Sequence, residues 1–159
     1  MNKHPDQKYQ AIIAAPMFCL GVRCDDMEIH QIEFLEPRAE LAPSNPLAAE
    51  TARQLRAWLT DPDFIFGLPL RPSGTAFQRR VWGQIAAIPS HQTRTYGEVA
   101  KALHNAPRAV GQACGANPFP LVIPCHRVIA TGGGLGGFAR HGGGFLLDVK
   151  RWLLAHEST

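Results

Sequence analysis

Thr95-Tyr96-Gly97-Glu98-Val99-Ala100-Lys101-Ala102-Leu103, then His104-Asn105-Ala106, then Pro107-Arg108-Ala109-Val110-Gly111-Gln112-Ala113-Cys114-Gly115-Ala116 decide the second half of the fold. Thr95 with Glu98 three residues on is a capping box, which starts a helix over residues 96–103. Residues 104–106 make a short turn. Pro107 suits the first position of a further helix running to about residue 116. Two short helices joined by a tight turn read as helix-turn-helix. The second helix is almost stripped of bulk, and each glycine inside a helix costs roughly 1 kcal/mol against alanine. Gly111 and Gly115 imply either tight helix packing or something coming very close to the backbone. Arg108 stands at the helix start among small residues. A helix N-terminus with an arginine is a natural phosphate or base contact.

On the C-terminal side come Asn117-Pro118-Phe119-Pro120 and Ile123-Pro124-Cys125-His126-Arg127-Val128. A cysteine is a useful nucleophile as thiolate, and a neighbouring imidazole with basic residues lowers its pKa. An isolated Cys-His pair is more often a core thiol beside a loop histidine; here the surroundings favour chemistry. Residues 132–144 hold eight glycines with no Lys-Ser/Thr after them, so they are a mobile loop and not a phosphate-binding loop. A final helix spans residues 145–156, with Leu146, Val149, Trp152 and Leu153 as its apolar face.

On the N-terminal side, residues 75–88 carry Phe77, Val81, Trp82 and Ile85 at helical spacing. Residues 68–74, rich in proline, read as an inter-domain linker. Before it, residues 9–15, 18–24 and 29–35 read as strands of a small antiparallel meander, with a turn at Asp25-Asp26. A helix over residues 47–59 places Leu47, Thr51, Leu55, Trp58 and Leu59 on one face. The fold class is α+β: a small N-terminal antiparallel sheet with a helix over residues 1–70, and a mostly helical, winged-helix-like domain over residues 71–159.

The net charge of +3 hides an asymmetry. Residues 1–70 carry six Lys/Arg and ten Asp/Glu; residues 71–159 carry ten Lys/Arg and three Asp/Glu. The basic half either meets a polyanion or is a solvated surface. No apolar run is long enough to span a membrane, and no signal-peptide apolar region opens the chain. The expected compartment is the cytoplasm, where Cys19, Cys24, Cys114 and Cys125 stay reduced. No C-x-x-C pair is present.

Arg108-Ala109-Val110-Gly111, Asn117-Pro118, Pro120 and residues 123–128 resemble the O6-alkylguanine-DNA alkyltransferases, also called methylated-DNA–protein-cysteine methyltransferases. Residues 75–82, 95–98 and 152–157 extend the likeness through nearly all of residues 74–159. The first half is similar in layout to that family's ribonuclease-H-like domain. The resemblance implies a DNA repair protein that moves an alkyl group from guanine oxygen, and from O4-alkylthymine, to its own Cys125, once per molecule. It implies a relay in which Glu157 holds His126, favours its cationic form, and His126 acts on Cys125 through a water. It makes Tyr96 the phenol that donates to the leaving guanine and Asn117 the tie between turns of the site. Val122 and Cys125 would read the guanine edge through their backbone, and Pro120, Phe138 and Ala139 would wall the pocket. Many members have tyrosine and serine where this chain has Phe138 and Ala139, so two pocket hydroxyls are lost.

The partner so implied is double-stranded DNA containing O6-alkylguanine, bound by a monomer through the minor groove, with cooperativity left open. The base must leave the duplex. Arg108 would fill its place, and Tyr96, Ala109, Gly111 and Gln78 would line the DNA contact. A helix of small residues suits a groove roughly 6 Å wide. No cofactor is expected. Some members hold a structural zinc; Cys24 and His30 match two of its ligands and His4 stands near as a third, but a fourth is missing, so no metal is expected. Two other classes compete. A non-catalytic DNA-binding module would lack the cysteine or carry base-reading side chains on its bare helix. A Cys-His hydrolase would turn over.

Overall fold

Three strands, β1 (Ala11–Ala14), β2 (Cys19–Cys24) and β3 (Ile29–Leu35), make an antiparallel meander in that order. Ala14 faces Cys19 across β1–β2, and Cys19 faces Leu35 across β2–β3. The Asp25 carboxylate closes the β2–β3 turn by accepting from the backbone N–H groups of Met27 and Glu28 at 2.7 and 2.8 Å. That is the local bond that makes aspartate a turn residue. The computed structural model describes residues 8–132, 134–136 and 144–158. The chain divides into two compact units, Met1–Pro72 and Ser73–Thr159.

In the first unit, helix α1 (Pro46–Thr60) packs across β1 and β2. Asn45 caps it by accepting from the Ala48 N–H at 2.7 Å, and Pro46 fills the first turn, where a missing N–H costs nothing. Its buried face differs from the sequence reading. Thr51, Leu55 and Trp58 are buried as expected, but Ala48, Ala52 and Gln54 replace Leu47 and Leu59. The face is rotated toward the alanines, which allow close approach. The buried Gln54 amide exchanges two bonds with the backbone of Gly67, at 2.9 and 3.0 Å. Residues 69–71 are not the free linker their prolines imply. Ile29 N–H donates to the Pro69 carbonyl at 2.7 Å and Arg71 N–H to the Ile29 carbonyl at 2.8 Å. The segment therefore finishes the first unit along the β3 edge.

The second unit holds α2 (Ala76–Ala86), α3 (Tyr96–Ala102), α4 (Pro107–Gly115) and α5 (Gly144–Glu157). Capping boxes start α2 (Thr75 with Gln78) and α3 (Thr95 with Glu98). Val81, Trp82 and Ile85 bury the inner face of α2. The Trp82 indole N–H reaches the Ala113 carbonyl at 2.9 Å, fastening α2 to α4. The α3–α4 turn uses His104 at φ 53°, and α3 packs on α4 as a helix-turn-helix requires. A two-residue parallel pair, β4 (Arg94–Thr95) with β5 (Val128–Ile129), escapes sequence reading because two residues carry no periodicity. It matters for position: it sets the start of α3 beside the end of a 3-10 turn over Cys125–Arg127.

Candidate active site

The turn that carries Cys125 is built from its upstream neighbours. Asn117 accepts from the Phe119 N–H through its side-chain oxygen at 2.9 Å and donates from its amide nitrogen to the Ile123 carbonyl at 2.8 Å. The same nitrogen donates to Cys125 Sγ at 3.2 Å. Between them Leu121 is buried at φ 73°, in the left-handed region. Such a residue costs on the order of 1–3 kcal/mol and persists only where its surroundings fix it. Asn117 supplies that fixing, so the residue that shapes the loop also touches the thiol.

His126, one residue on, turns inward and is fully buried. Its Nε2 lies 2.9 Å from Glu157 Oε2 on α5. Arg127 joins the same carboxylate, Nε donating to Oε1 at 3.0 Å and Nη2 to Oε2 at 2.5 Å, while Nη1 donates to the Ile88 carbonyl at 2.7 Å. The Arg127 guanidinium is thus spent on Glu157 and not on the thiol, contrary to the reading that makes it the thiol's basic neighbour. Burial pushes Glu157 up, but the bonds from His126 and Arg127 outweigh it and hold the carboxyl at about 2.

Two protonation expectations are corrected. Burial lowers His126 and outweighs the bond from Glu157, so the resting imidazole is neutral. Cys125 is raised well above the ordinary thiol value by a hydrogen bond with Cys114 and by burial, against the lowering pull of Asn117 and Lys150. The resting sulfur is a thiol.

Lys150 was invisible to the sequence reading. It is fully buried on α5, two turns before Glu157. Its ammonium donates to the carbonyls of Val128 and Leu135 at 2.7 and 2.6 Å and to the Tyr96 hydroxyl at 3.4 Å. Burial lowers it to about 8, the two thiols of Cys114 and Cys125 pulling the other way. Burial also raises Tyr96, which keeps the phenol protonated. Gly136 fits this corner, since a Cβ there would stand 2.8 Å from the Tyr96 ring. The available signal was helical: residues 146, 149, 150, 153 and 157 recur at the spacing of one face.

The remaining candidates lie as follows. Arg108 is exposed at the first turn of α4, with Ala109 and Gly111 half-buried beside it. A Cβ on Gly111 would meet nothing within 4 Å, so packing inside the protein does not account for that glycine. The Gln78 side-chain oxygen accepts from the Thr75 N–H at 2.9 Å, a capping role the sequence reading did not give it. Pro120 and Val122 are half-buried on the loop before Cys125. Phe138, Ala139 and His4 lie outside the described residues. In the first unit, Cys24 Sγ donates to the Asn45 side chain at 3.6 Å and His30 pairs with Asp25 at 2.9 Å. Among the described residues no three His, Cys, Asp or Glu stand where they could share a metal ion. A cavity of about 340 Å³ is lined by Glu157, Ile129, Leu135 and Leu154 but not by Cys125. Among the described residues no helix is long and apolar enough to cross a membrane.

The chain as a whole is similar to known proteins. The family described as 6-O-methylguanine DNA methyltransferase, DNA binding domain, matches residues 76–159. The chain is 35% identical over 159 residues to the methylated-DNA–protein-cysteine methyltransferase of Methanosarcina acetivorans, covering 95% of this chain and 99% of that one. It is 44% identical over 125 residues to the protein of the same name from Mycolicibacterium paratuberculosis, covering 77% and 73%. A crystal structure of Mycobacterium tuberculosis OGT in complex with DNA matches with a TM-score of 0.78 at 33% identity, covering 92% of this chain and 91% of that one. With one relative matched almost end to end and the DNA-binding half matched as a unit, the chain belongs to the methylated-DNA–protein-cysteine methyltransferases, DNA repair proteins that move an alkyl group from DNA to a cysteine.

Proposed function

We propose that Cys125 is the alkyl acceptor and that residues 117–128, Tyr96, Lys150 and Glu157 form the transferring site, with O6-alkylguanine and O4-alkylthymine in DNA as substrates. The carrying observation is that the thiol, held by Asn117 at 3.2 Å, is followed directly by a buried imidazole bound to Glu157 at 2.9 Å. A neutral imidazole can accept a proton. The thiol proton passes through a water to His126, and Glu157 stabilises the imidazolium that forms. The sulfur displaces the alkyl carbon, the carbon–oxygen bond breaks, and its electron pair stays on the base oxygen. The protonated Tyr96 donates to the base as it leaves, and the Lys150 ammonium stabilises the phenolate. Across the reaction the thiol loses one proton and the base gains one. A thioether gives water no leaving group, so each molecule acts once.

Residues 71–159 would bind DNA through the minor groove, with α4 entering it and Arg108 filling the space left by the flipped base. The open face at Gly111 supports this reading, because it leaves room for a partner where packing needs none. Residues 1–70 would form the ribonuclease-H-like domain. The protein would act as a cytoplasmic monomer.

The test is to incubate the protein with excess methylated oligonucleotide, digest it and locate the added mass. One methyl group per chain, on Cys125, is the expected result. Methyl on Cys19, Cys24 or Cys114, or several bases repaired per chain, would sink the assignment.

A further inference from the structure

Helix α4 joins two parts of the proposed mechanism. Its first turn carries Arg108, and its last residue, Gly115, stands just before Asn117. Asn117 is bound in both directions: its backbone N–H donates to the Cys114 carbonyl at 3.2 Å, and its side-chain amide donates to Cys125 Sγ at 3.2 Å. The position of α4 along its own axis therefore sets how far Arg108 lies from the sulfur.

Little in α4 itself fixes that position. Packed helices lock together through ridges of side chains. The buried side chains of α4 are Val110, Ala113 and Cys114, and groups so small make shallow ridges. A directional bond supplies what the packing lacks. The Trp82 indole N–H donates to the Ala113 carbonyl at 2.9 Å. The indole is itself held in place. It is buried on α2 with Val81 and Ile85. Gly74 lies against its edge at φ 86°, where a Cβ would stand 2.5 Å from the ring. The Ala113 carbonyl has a second partner, since the Ala116 N–H also reaches it at 3.2 Å. The indole bond is thus surplus to the helix and acts between helices.

We propose that Trp82 is a positioning residue that, through the Ala113 carbonyl, keeps the DNA-facing helix in register with Cys125. This role rests on α4 entering DNA and on Cys125 being the acceptor. Asn117 is tied to the Cys125 loop by its own bonds with Phe119 and Ile123, so the thiol turn keeps its geometry without the indole. What loosens is the separation between Arg108, which fills the gap left by the flipped base, and the sulfur. Only a base presented by a duplex depends on that separation. A misplacement of about 1 Å between reacting groups costs on the order of a hundredfold in rate.

The experiment compares wild type, Trp82→Phe and a protein carrying benzothienylalanine at position 82. The analogue keeps the bicyclic ring and puts sulfur where the N–H stood, so it removes the bond without opening a cavity. Single-turnover methyl transfer is measured from a methylated duplex over a range of DNA concentrations, and from free O6-methylguanine. In both variants the rate at saturating duplex should fall by roughly ten- to hundredfold, while the half-saturating DNA concentration and the free-base rate stay close to wild type. Equal losses on duplex and free base would mean that Trp82 supports the fold alone, and would overturn the proposal. So would a wild-type rate in the analogue, which would leave only ring packing, or a loss confined to DNA affinity. Arg108→Ala separates this role from the reading beneath it. If that variant leaves duplex transfer unchanged, or if methyl lands on a residue other than Cys125, the site reading falls. If methyl lands on Cys125 and Arg108→Ala acts on the duplex alone, while both position-82 variants match wild type, only the role of Trp82 falls.

Discussion

The two units bury polar groups for different ends. Among the described residues of Met1–Pro72 the buried polar ones are Thr51 and Gln54, and both serve backbone: Thr51 Oγ1 donates to the Leu47 carbonyl at 2.8 Å and Gln54 brackets Gly67. Among the described residues of Ser73–Thr159 they are His126, Arg127, Lys150 and Glu157, all ionisable. Burying an ion costs several kcal/mol even after relaxation, and a buried pair is weak evidence of stability. A fold has no structural need for four such groups around one turn. On the proposed mechanism the second unit accepts that cost where a proton must leave Cys125; the first is an ordinary core.

The largest test of this contrast is Glu157→Gln. It leaves the Arg127 guanidinium buried without its carboxylate. Removing one partner of a buried pair costs about 3–5 kcal/mol, so thermal unfolding should move down strongly and transfer should fall with it. The matching change in the first unit, Glu50→Gln, breaks an exposed pair with Arg53 at 2.6 Å and should be nearly silent. Equal effects from the two changes would erase the distinction between the units.

Next in size is Arg108→Ala. Flipping a base costs a few kcal/mol, and a side chain in the vacated stack offsets part of it. Transfer from duplex DNA should fall by roughly ten- to hundredfold, while reaction with free alkylguanine base stays close to wild type. Similar losses on both substrates would place Arg108 in the fold or in the chemistry. Arg53→Ala, an exposed arginine of the first unit, should change neither rate.

Most of the scaffold was legible because its signals are local. β3 runs over residues 29–35 as read, and the Thr95–Glu98 capping box lies where the sequence announces it, while the Thr75–Gln78 box was missed although its spacing is the same. Cys125, His126 and Asn117 were visible as neighbours in the chain. What escaped depends on contacts far apart in sequence. Glu157 came from family likeness alone, and nothing local tells a helix-end carboxylate from a buried one. Lys150 and Cys114 each sit on an inward helix face among apolar residues, where a polar side chain is read as an exception to the stripe. The protonation states escaped for the same reason. An adjacent imidazole and arginine point to a thiolate, and only the folded chain shows that Arg127 turns to Glu157 and that burial keeps His126 neutral.

The smallest test concerns that neutral histidine and uses pH. In the folded protein the His126 pKa is lowered by burial, against the bond from Glu157; in the unfolded chain it is about 6.5. Above that value both states carry a neutral ring, and His126 contributes no pH dependence. As pH falls through about 6.5 the unfolded chain takes up a proton that the folded one refuses. The unfolded state then binds more protons, so stability is lost as pH drops toward the folded pKa. Glu157, also held low, begins to lose its contribution only below about pH 4.3, well outside this window. Denaturant midpoints measured between about pH 7.5 and 5.5 should therefore decline in wild type and decline less in His126→Gln, which removes the titrating ring. If the two proteins share one slope, the imidazole is not held neutral. The proposed proton path from Cys125 would then end at an ordinary imidazole, partly protonated at rest as pH falls through about 6.5.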